Sequence, residues 1–286
     1  MSTKISEITI YRRPIGATSL LDMEKVDGVP VYATGTAATL TEAQLFAFKP
    51  FNDWMDGLNP ELWVESITVT DVHWFGPRIG FLTLKTVTRL MGSGPVLPGI
   101  IFMRGGSVAV LVVLRCEGRK YVLLVKQPRV PVGRVSLAEI PAGMLDGEGN
   151  FAGVAAKEMR EESHISFTPE EMISMTDFMS HKQYPSPGGC DEFIEYFYAS
   201  AVVTPAFLHA ISGRATGCEA ENERIRLSYV PYDDLWCVSG DAKAATACYL
   251  FENLVRNGYM GDRVTTGRVF GSSAELDAVA EKVKEE

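Results

Sequence analysis

Residues 139 to 165 constrain this chain more than any other stretch. They read Glu139-Ile-Pro-Ala-Gly143-Met-Leu-Asp-Gly-Glu148-Gly-Asn-Phe151-Ala-Gly-Val-Ala-Ala-Lys157-Glu158-Met-Arg160-Glu161-Glu162-Ser-His164-Ile165. A Gly-rich turn feeds a helix on which Glu158, Glu161 and Glu162 stand at i, i+3 and i+4. At about 100° per residue the three carboxylates fall within an arc of about 100°. Phe151, Val154, Ala155 and Met159 form the apolar stripe of the same helix. Glu158 and Glu162 project inside that stripe, and Lys157 and Arg160 outside it. Inward carboxylates are costly unless something pairs with them. Three close carboxylates also repel one another, and a divalent cation relieves that repulsion. Oxygen-rich ligation without histidine suits Mg²⁺ or Mn²⁺ rather than zinc. A solvated acidic face balanced by Lys157 and Arg160 is the alternative, and the stripe position and the Gly turn weigh against it.

The stretch resembles the Nudix box, Gly-x5-Glu-x7-Arg-Glu-U-x-Glu-Glu-x-Gly-U, where U is a bulky aliphatic. Gly143, Glu158, Met159, Glu161, Glu162 and Ile165 fit in register. Three positions depart: Gly149 stands where a Glu is expected, with Glu148 one residue early, Lys157 replaces the Arg, and His164 replaces the second Gly. The glutamates that carry metal in the family are all present.

The chain has 286 residues, enough for one large domain or two modest ones, and at 46% hydrophobic it can bury a full core. A net charge of −9 argues against general nucleic-acid binding. It leaves room for a nucleotide-sized ligand held through metal ions. Cys116, Cys190, Cys218, Cys237 and Cys248 are odd in number and lack a CxxC, which speaks against a disulfide framework or structural zinc and for a reducing compartment. Cys190 reads as an ordinary loop cysteine. Apolar runs of membrane-spanning length and a signal-peptide core are both missing, so no membrane association is expected and the cytoplasm is the expected location.

Along the chain, residues 4 to 11 and Val29 to Thr34 read as strands, with 12 to 28 irregular. Thr41 to Gln44 is a capping box opening a short helix, and Phe51 to Asn59 reads as loop. Trp54 and Trp63 are expected packing residues. Val64 to Trp74 and Phe81 to Arg89 alternate like paired strands, which suggests an N-terminal antiparallel sheet. Met91 to Gly99 is either a domain linker or a long hairpin loop. Ser107 to Arg115 and Lys120 to Gln127 are strands around Glu117-Gly118, and Val135 to Ile140 runs into the Gly turn. Glu170 to Phe178 is ambiguous. Phe193 to Val203 and Arg224 to Val230 are strands. Asp241 caps a helix with Ala244, Cys248, Phe251 and Val255 on its apolar face and Gly258 as its stop. Ser272 to Glu275 caps a last amphipathic helix. The expected organisation is an N-terminal β-rich region over 1–98, a catalytic domain over 99–260 and a C-terminal helix over 261–286.

Further residues invite chemistry. Arg129, in the stiff Gln127-Pro-Arg-Val-Pro131 loop, suits a phosphate or a base, though a surface arginine explains it equally. Gly188 and Gly189, in Tyr184-Pro-Ser-Pro-Gly-Gly-Cys-Asp-Glu192, let backbone amides approach a ligand. Asp191 and Glu192 could add a carboxylate to the metal cluster. Glu221 and Glu223 lie in an acidic loop that could supply a general base, or could be a solvated charge run. Glu139 and Gly143 complete the candidate substrate-binding positions. The four histidines lack ligand spacing.

With these stretches the chain is most similar to the ADP-sugar diphosphatase branch of the Nudix hydrolases, and most of all to its plant members. Phe75 to Phe81, Pro98 to Phe102, Gln127 to Pro131, Pro141 to Asp146 and Pro185 to Glu192 carry the likeness, which spans roughly residues 28 to 256. The resemblance implies an α+β Nudix fold: a mixed β-sheet sandwiched between α-helices, with the N-terminal sheet region serving a homodimer. It implies Mg²⁺ ions on the box glutamates and on the backbone carbonyl of Ala142. It also implies a later acidic loop, loosely Glu221 and Glu223, that positions the attacking water. The expected activity is hydrolysis of a nucleoside diphosphate sugar such as ADP-ribose or ADP-glucose. A Nudix-fold module that binds without hydrolysing is one alternative. An enzyme acting on UDP-glucose, capped RNA or dinucleoside polyphosphates is another.

Overall fold

The computed structural model describes residues 2–15, 23–145, 150–163, 165–216, 224–261 and 268–270, with the backbone alone at 160–163 and 268. The expected C-terminal helix, His164, Cys218 and the acidic loop at Glu221 and Glu223 lie outside the described residues. The chain divides into two compact units: Met1–Gly106 with Ser186–Phe193, and Ser107–Pro185 with Ile194–Glu286.

The first unit is built on a five-stranded sheet in the order β1 (Thr3–Arg12), β2 (Glu24–Ala33), β3 (Leu62–Phe75), β4 (Arg78–Leu90) and β5 (Ile100–Met103). Alternation sets its core: Val31, Ala33, Ile67, Val69, Leu82 and Leu84 are all buried. The sheet is mixed rather than antiparallel, because β2 runs parallel to β3. Parallel neighbours need a crossover, and here α1 (Glu42–Ala47) and α2 (Lys49–Asp56) lie in it. The Thr41 capping box forms as expected. The stretch expected as loop after Phe51 is α2 instead. Pro50 sits in its first turn, where a missing N–H costs nothing. Phe51 fills the core, with Trp54 packed against it. Met91 to Gly99 is the hairpin connection between antiparallel β4 and β5. Ser186–Phe193 joins this unit at β5, where the Phe102 N–H donates to Gly189 O at 2.8 Å.

The second unit holds a nine-stranded mixed sheet around β6 (Ser107–Cys116), β7 (Arg119–Arg129), β11 (Ile194–Val203) and β13 (Ile225–Pro231). Glu117 and Gly118 both take positive φ in the tight β6–β7 turn, at 48° and 77°. On one face Ala109, Leu111, Val113, Val122, Leu124, Tyr196 and Tyr198 pack with α6 (Ala242–Arg256). The alternate residues Val108, Val110, Val112 and Leu114 are equally buried toward the opposite face. There α3 (Phe151–Ser163) contacts β6 and β9 (Ala142–Met144). A mixed sheet thus lies between helices. The buried face of α6 is Ala244, Ala247, Leu250, Phe251 and Leu254, while Val255, expected inward, is exposed. The ambiguous segment resolves into two 3₁₀ turns flanking β10 (Ile173–Ser174). An unanticipated α4 (Pro205–Ile211) is capped by Thr204, whose Oγ1 accepts from the Phe207 N–H at 3.2 Å.

Candidate active site

The sheet of the second unit splits where the site is built. The far ends of β6 and β7 pair with each other, Val113–Cys116 against Val122–Arg119. Nearer the Gly turn they part. There β7 pairs with β8 (Arg134–Glu139), and β6 pairs with β9 through Ala109–Ala142, Val108–Gly143 and Ser107–Met144. Glu139, Ile140 and Pro141 therefore carry the chain from the β7 side to the β6 side. Pro141 fits the crossing because it has no N–H to leave unpaired, and its carbonyl accepts from the Val110 N–H at 2.9 Å.

This crossing lays Ala142 and Gly143 beneath α3. Val154, Ala155 and Met159 are buried as the stripe requires, Lys157 is exposed, and Glu158 is half-buried. A Cβ built on Gly143 would collide with the Glu158 carboxyl group. The Gly turn and the first box glutamate are thus in immediate contact, and a side chain at 143 would displace the Glu158 carboxyl. Glu161 and Glu162 follow on the same helix with side chains outside the described set. Among the described residues no three His, Cys, Asp or Glu side chains converge as a metal cluster. The donors present are a half-buried carboxylate and a backbone strand pressed against it. They are hard oxygen groups that fit Mg²⁺ or Mn²⁺.

Beside the crossing lies an ion network. Glu139, buried, receives Arg129 through Nε at 2.6 Å and Nη2 at 3.1 Å, and Lys243 Nζ at 2.9 Å. Lys243 Nζ also donates to Asp241 Oδ1 at 3.0 Å. Asp241 caps α6 by accepting from the Lys243 N–H, and its Oδ2 accepts from the Ile140 N–H at 3.3 Å. Ser239 Oγ donates to Ala138 O at 2.8 Å. Burial pushes the Glu139 carboxyl up, but the Arg129 hydrogen bond and the Lys243 charge outweigh it and hold the group below its ordinary range. Burial pushes Lys243 down, and the charges of Asp241 and Glu139 reverse that and hold it high. Arg129 and Glu139, both candidate substrate-binding positions in the sequence, meet in this network, and Lys243 and Asp241 join them although no motif in the sequence marks them. In the sequence the Asp-Ala-Lys run at the start of α6 signals only a helix cap.

Gly188, Gly189 and Glu192 belong to the first unit. Glu192 faces Arg104 at 3.3 Å, and Asp191 accepts the backbone N–H groups of Arg104 and Gly105. A Cβ at Gly188 or Gly189 would meet nothing. Cys190 is half-buried, and burial pushes its thiol up, as suits a loop cysteine rather than a nucleophile.

Comparison with known proteins gives the following matches. The NUDIX domain family matches residues 103–249. "Nudix hydrolase 14, chloroplastic" from Arabidopsis thaliana is 35% identical over 226 residues, covering 74% of this chain and 73% of that protein. "Putative nudix hydrolase 2" from Caenorhabditis elegans is 38% identical over 57 residues, 20% of this chain and 25% of its own length. A solved structure described as "Crystal structure of ADP compounds hydrolase" superposes with a TM-score of 0.47 at 13% identity, covering 69% of this chain and 95% of that one.

Proposed function

This chain belongs to the Nudix hydrolases, and from that premise we propose that it hydrolyses the pyrophosphate bond of a nucleoside diphosphate sugar, with ADP-ribose and ADP-glucose the leading substrates. Water attacks one phosphorus, the bond from that phosphorus to the bridging oxygen breaks, and a nucleoside monophosphate and a sugar phosphate leave. The observation that carries the proposal is the contact between Gly143 and Glu158, which brings a box carboxylate onto the Gly turn. The sequence likeness to the ADP-sugar branch supports the substrate class.

In this scheme Ala142, Glu158, Glu161 and Glu162 are the candidate ligands of Mg²⁺, or of Mn²⁺ in its place. When bound, the cation supplies charge neutralisation at the diphosphate and a lowered pKa for a coordinated water. The chain's own residues do the rest. Arg129 offers the planar fork that matches phosphate oxygens. Glu221 or Glu223 orients the attacking water and takes its proton, and Glu161 and Glu162 share the catalytic work. Catalysis is then mostly positioning and charge stabilisation. The N-terminal unit serves a homodimer, and the free cysteines suit a reducing compartment such as the cytoplasm.

Gly149 in place of the expected box glutamate favours a second reading, a module that binds a nucleotide sugar or a protein without turnover. One assay separates the two. The protein is incubated with ADP-ribose, ADP-glucose and UDP-glucose in Mg²⁺ and again in Mn²⁺, and monophosphate products are measured. Hydrolysis led by an ADP-sugar supports the proposal. Binding without turnover under both metals replaces it with the module, and preference for UDP-glucose or a dinucleoside polyphosphate redirects the substrate class.

A further inference from the structure

Glu139 and Asp241 each carry a negative charge and are met by two cations, Arg129 and Lys243, while Asp241 also accepts the backbone N–H groups of Lys243 and Ile140. Those cations differ in their surroundings. The Lys243 side chain is 19% exposed and sits between the buried carboxylates of Glu139 and Asp241. The Arg129 side chain is 41% exposed and grips Glu139 from the solvent side with a two-pronged contact.

We infer that Lys243 is a positioning residue for substrate binding: it remains on Glu139 as a fixed counter-charge and so lets Arg129 leave that carboxylate for the diphosphate of the substrate, an assignment that rests on the nucleotide-sugar reading above. An arginine paired with a lone buried carboxylate is trapped, because its departure strands an uncompensated charge. Lys243 lowers that obstacle, because the Asp241 charge it also faces is held in addition by the Lys243 and Ile140 N–H groups and by the positive N-terminal end of α6. The diphosphate offers Arg129 the same kind of two-pronged acceptor that Glu139 does, so one fork contact is exchanged for another. Lys243 is fixed for its task. Asp241 accepts both its backbone N–H and its Nζ, and also accepts the Ile140 N–H next to Glu139. The start of α6 thus holds the crossing and its counter-charge as one piece.

The test uses the full-length chain with ADP-ribose as the probe. Binding is measured by calorimetry in EDTA, and KM and kcat are measured in Mg²⁺. Lys243→Met weakens binding about tenfold, and the loss falls on KM rather than on kcat. Lys243→Arg restores binding to within about threefold. In an Arg129→Ala background Lys243→Met adds no further loss, because it acts through Arg129. If Lys243→Met does not fold, Lys243→Gln, which keeps a hydrogen bond without the charge, takes its place. Equal losses in both backgrounds, or unchanged binding in the lysine variants, overturn the inference alone. A wild type that neither binds nor hydrolyses ADP-ribose, ADP-glucose or UDP-glucose overturns the nucleotide-sugar reading and this inference with it.

Discussion

Gly143 has no room for a side chain, since even a methyl group would run into the Glu158 carboxyl. Gly143→Ala must therefore swing the Glu158 carboxyl out of its place on the turn. It is expected to lower the melting temperature and to weaken Mg²⁺ binding measured by calorimetry, while Gly188→Ala, with nothing near its Cβ, leaves the melting temperature in place. Glu162→Gln removes one charge without changing shape. Under the proposed mechanism it cuts turnover of ADP-ribose at least about a hundredfold, with the circular dichroism spectrum unchanged, and near-normal turnover would strip Glu162 of its role. The place of Glu158 was legible in the sequence, because helix periodicity alone puts it among Val154, Ala155 and Met159. The two cations on Glu139 were not legible to the same degree. Arg129 lies ten residues away on a paired strand, whereas Lys243 is 104 residues away.

The N-terminus of α6 acts on the site as an element. Asp241 caps the helix and also takes the Ile140 N–H, so Asp241→Ala loses a cap and strands a backbone donor. The expected cost is about 2–4 kcal/mol, read by urea denaturation, with Asp241→Asn recovering part of it. The same network sets a pH dependence. The folded pKa of Glu139 lies below its ordinary 4.5, so its contribution is present above that value and is lost as pH falls through the lower folded value. Lys243 has the opposite sign. Its folded pKa lies above 10.5, so its contribution is full below 10.5 and is lost as pH rises through the higher folded value. Glu139→Gln is expected to flatten the acid limb of the stability profile, and an unchanged limb would remove Glu139 from that account. Elements with a strong period, β6, β7, β11 and α3, were readable in advance. Helix α2 was hidden by Pro50 and by its short length, although a proline in the first helical turn is permitted. Helix α4 carried a usable signal in Thr204-Pro205, a cap followed by a first-turn proline.

At the scale of the whole molecule the chain is not cut once. Ser186–Phe193 leaves the second unit to complete the first, and the excursion is closed at its base by the Ile194 N–H donating to Gln183 O at 2.9 Å. Asp191 fastens it by accepting the N–H groups of Arg104 and Gly105. Asp191→Ala is expected to speed proteolysis within Ser186–Phe193 and to cost about 1–3 kcal/mol, and an unaltered cleavage rate would show that the loop is held by other means. What the sequence by itself determined was local in origin. Periodicity, caps and turn residues act over a few positions, and they specified the Gly turn, the glutamate helix and the hairpins, while the resemblance of one motif pointed to a hydrolase family. Tertiary structure alone decided that β2 lies parallel to β3, that β6 and β7 part to admit the Gly turn, and that Lys243 and Asp241 stand beside Glu139. Those pairings join residues far apart in the chain, and they are chosen by burial of whole faces and by the need to match every buried charge, which no short window of sequence contains.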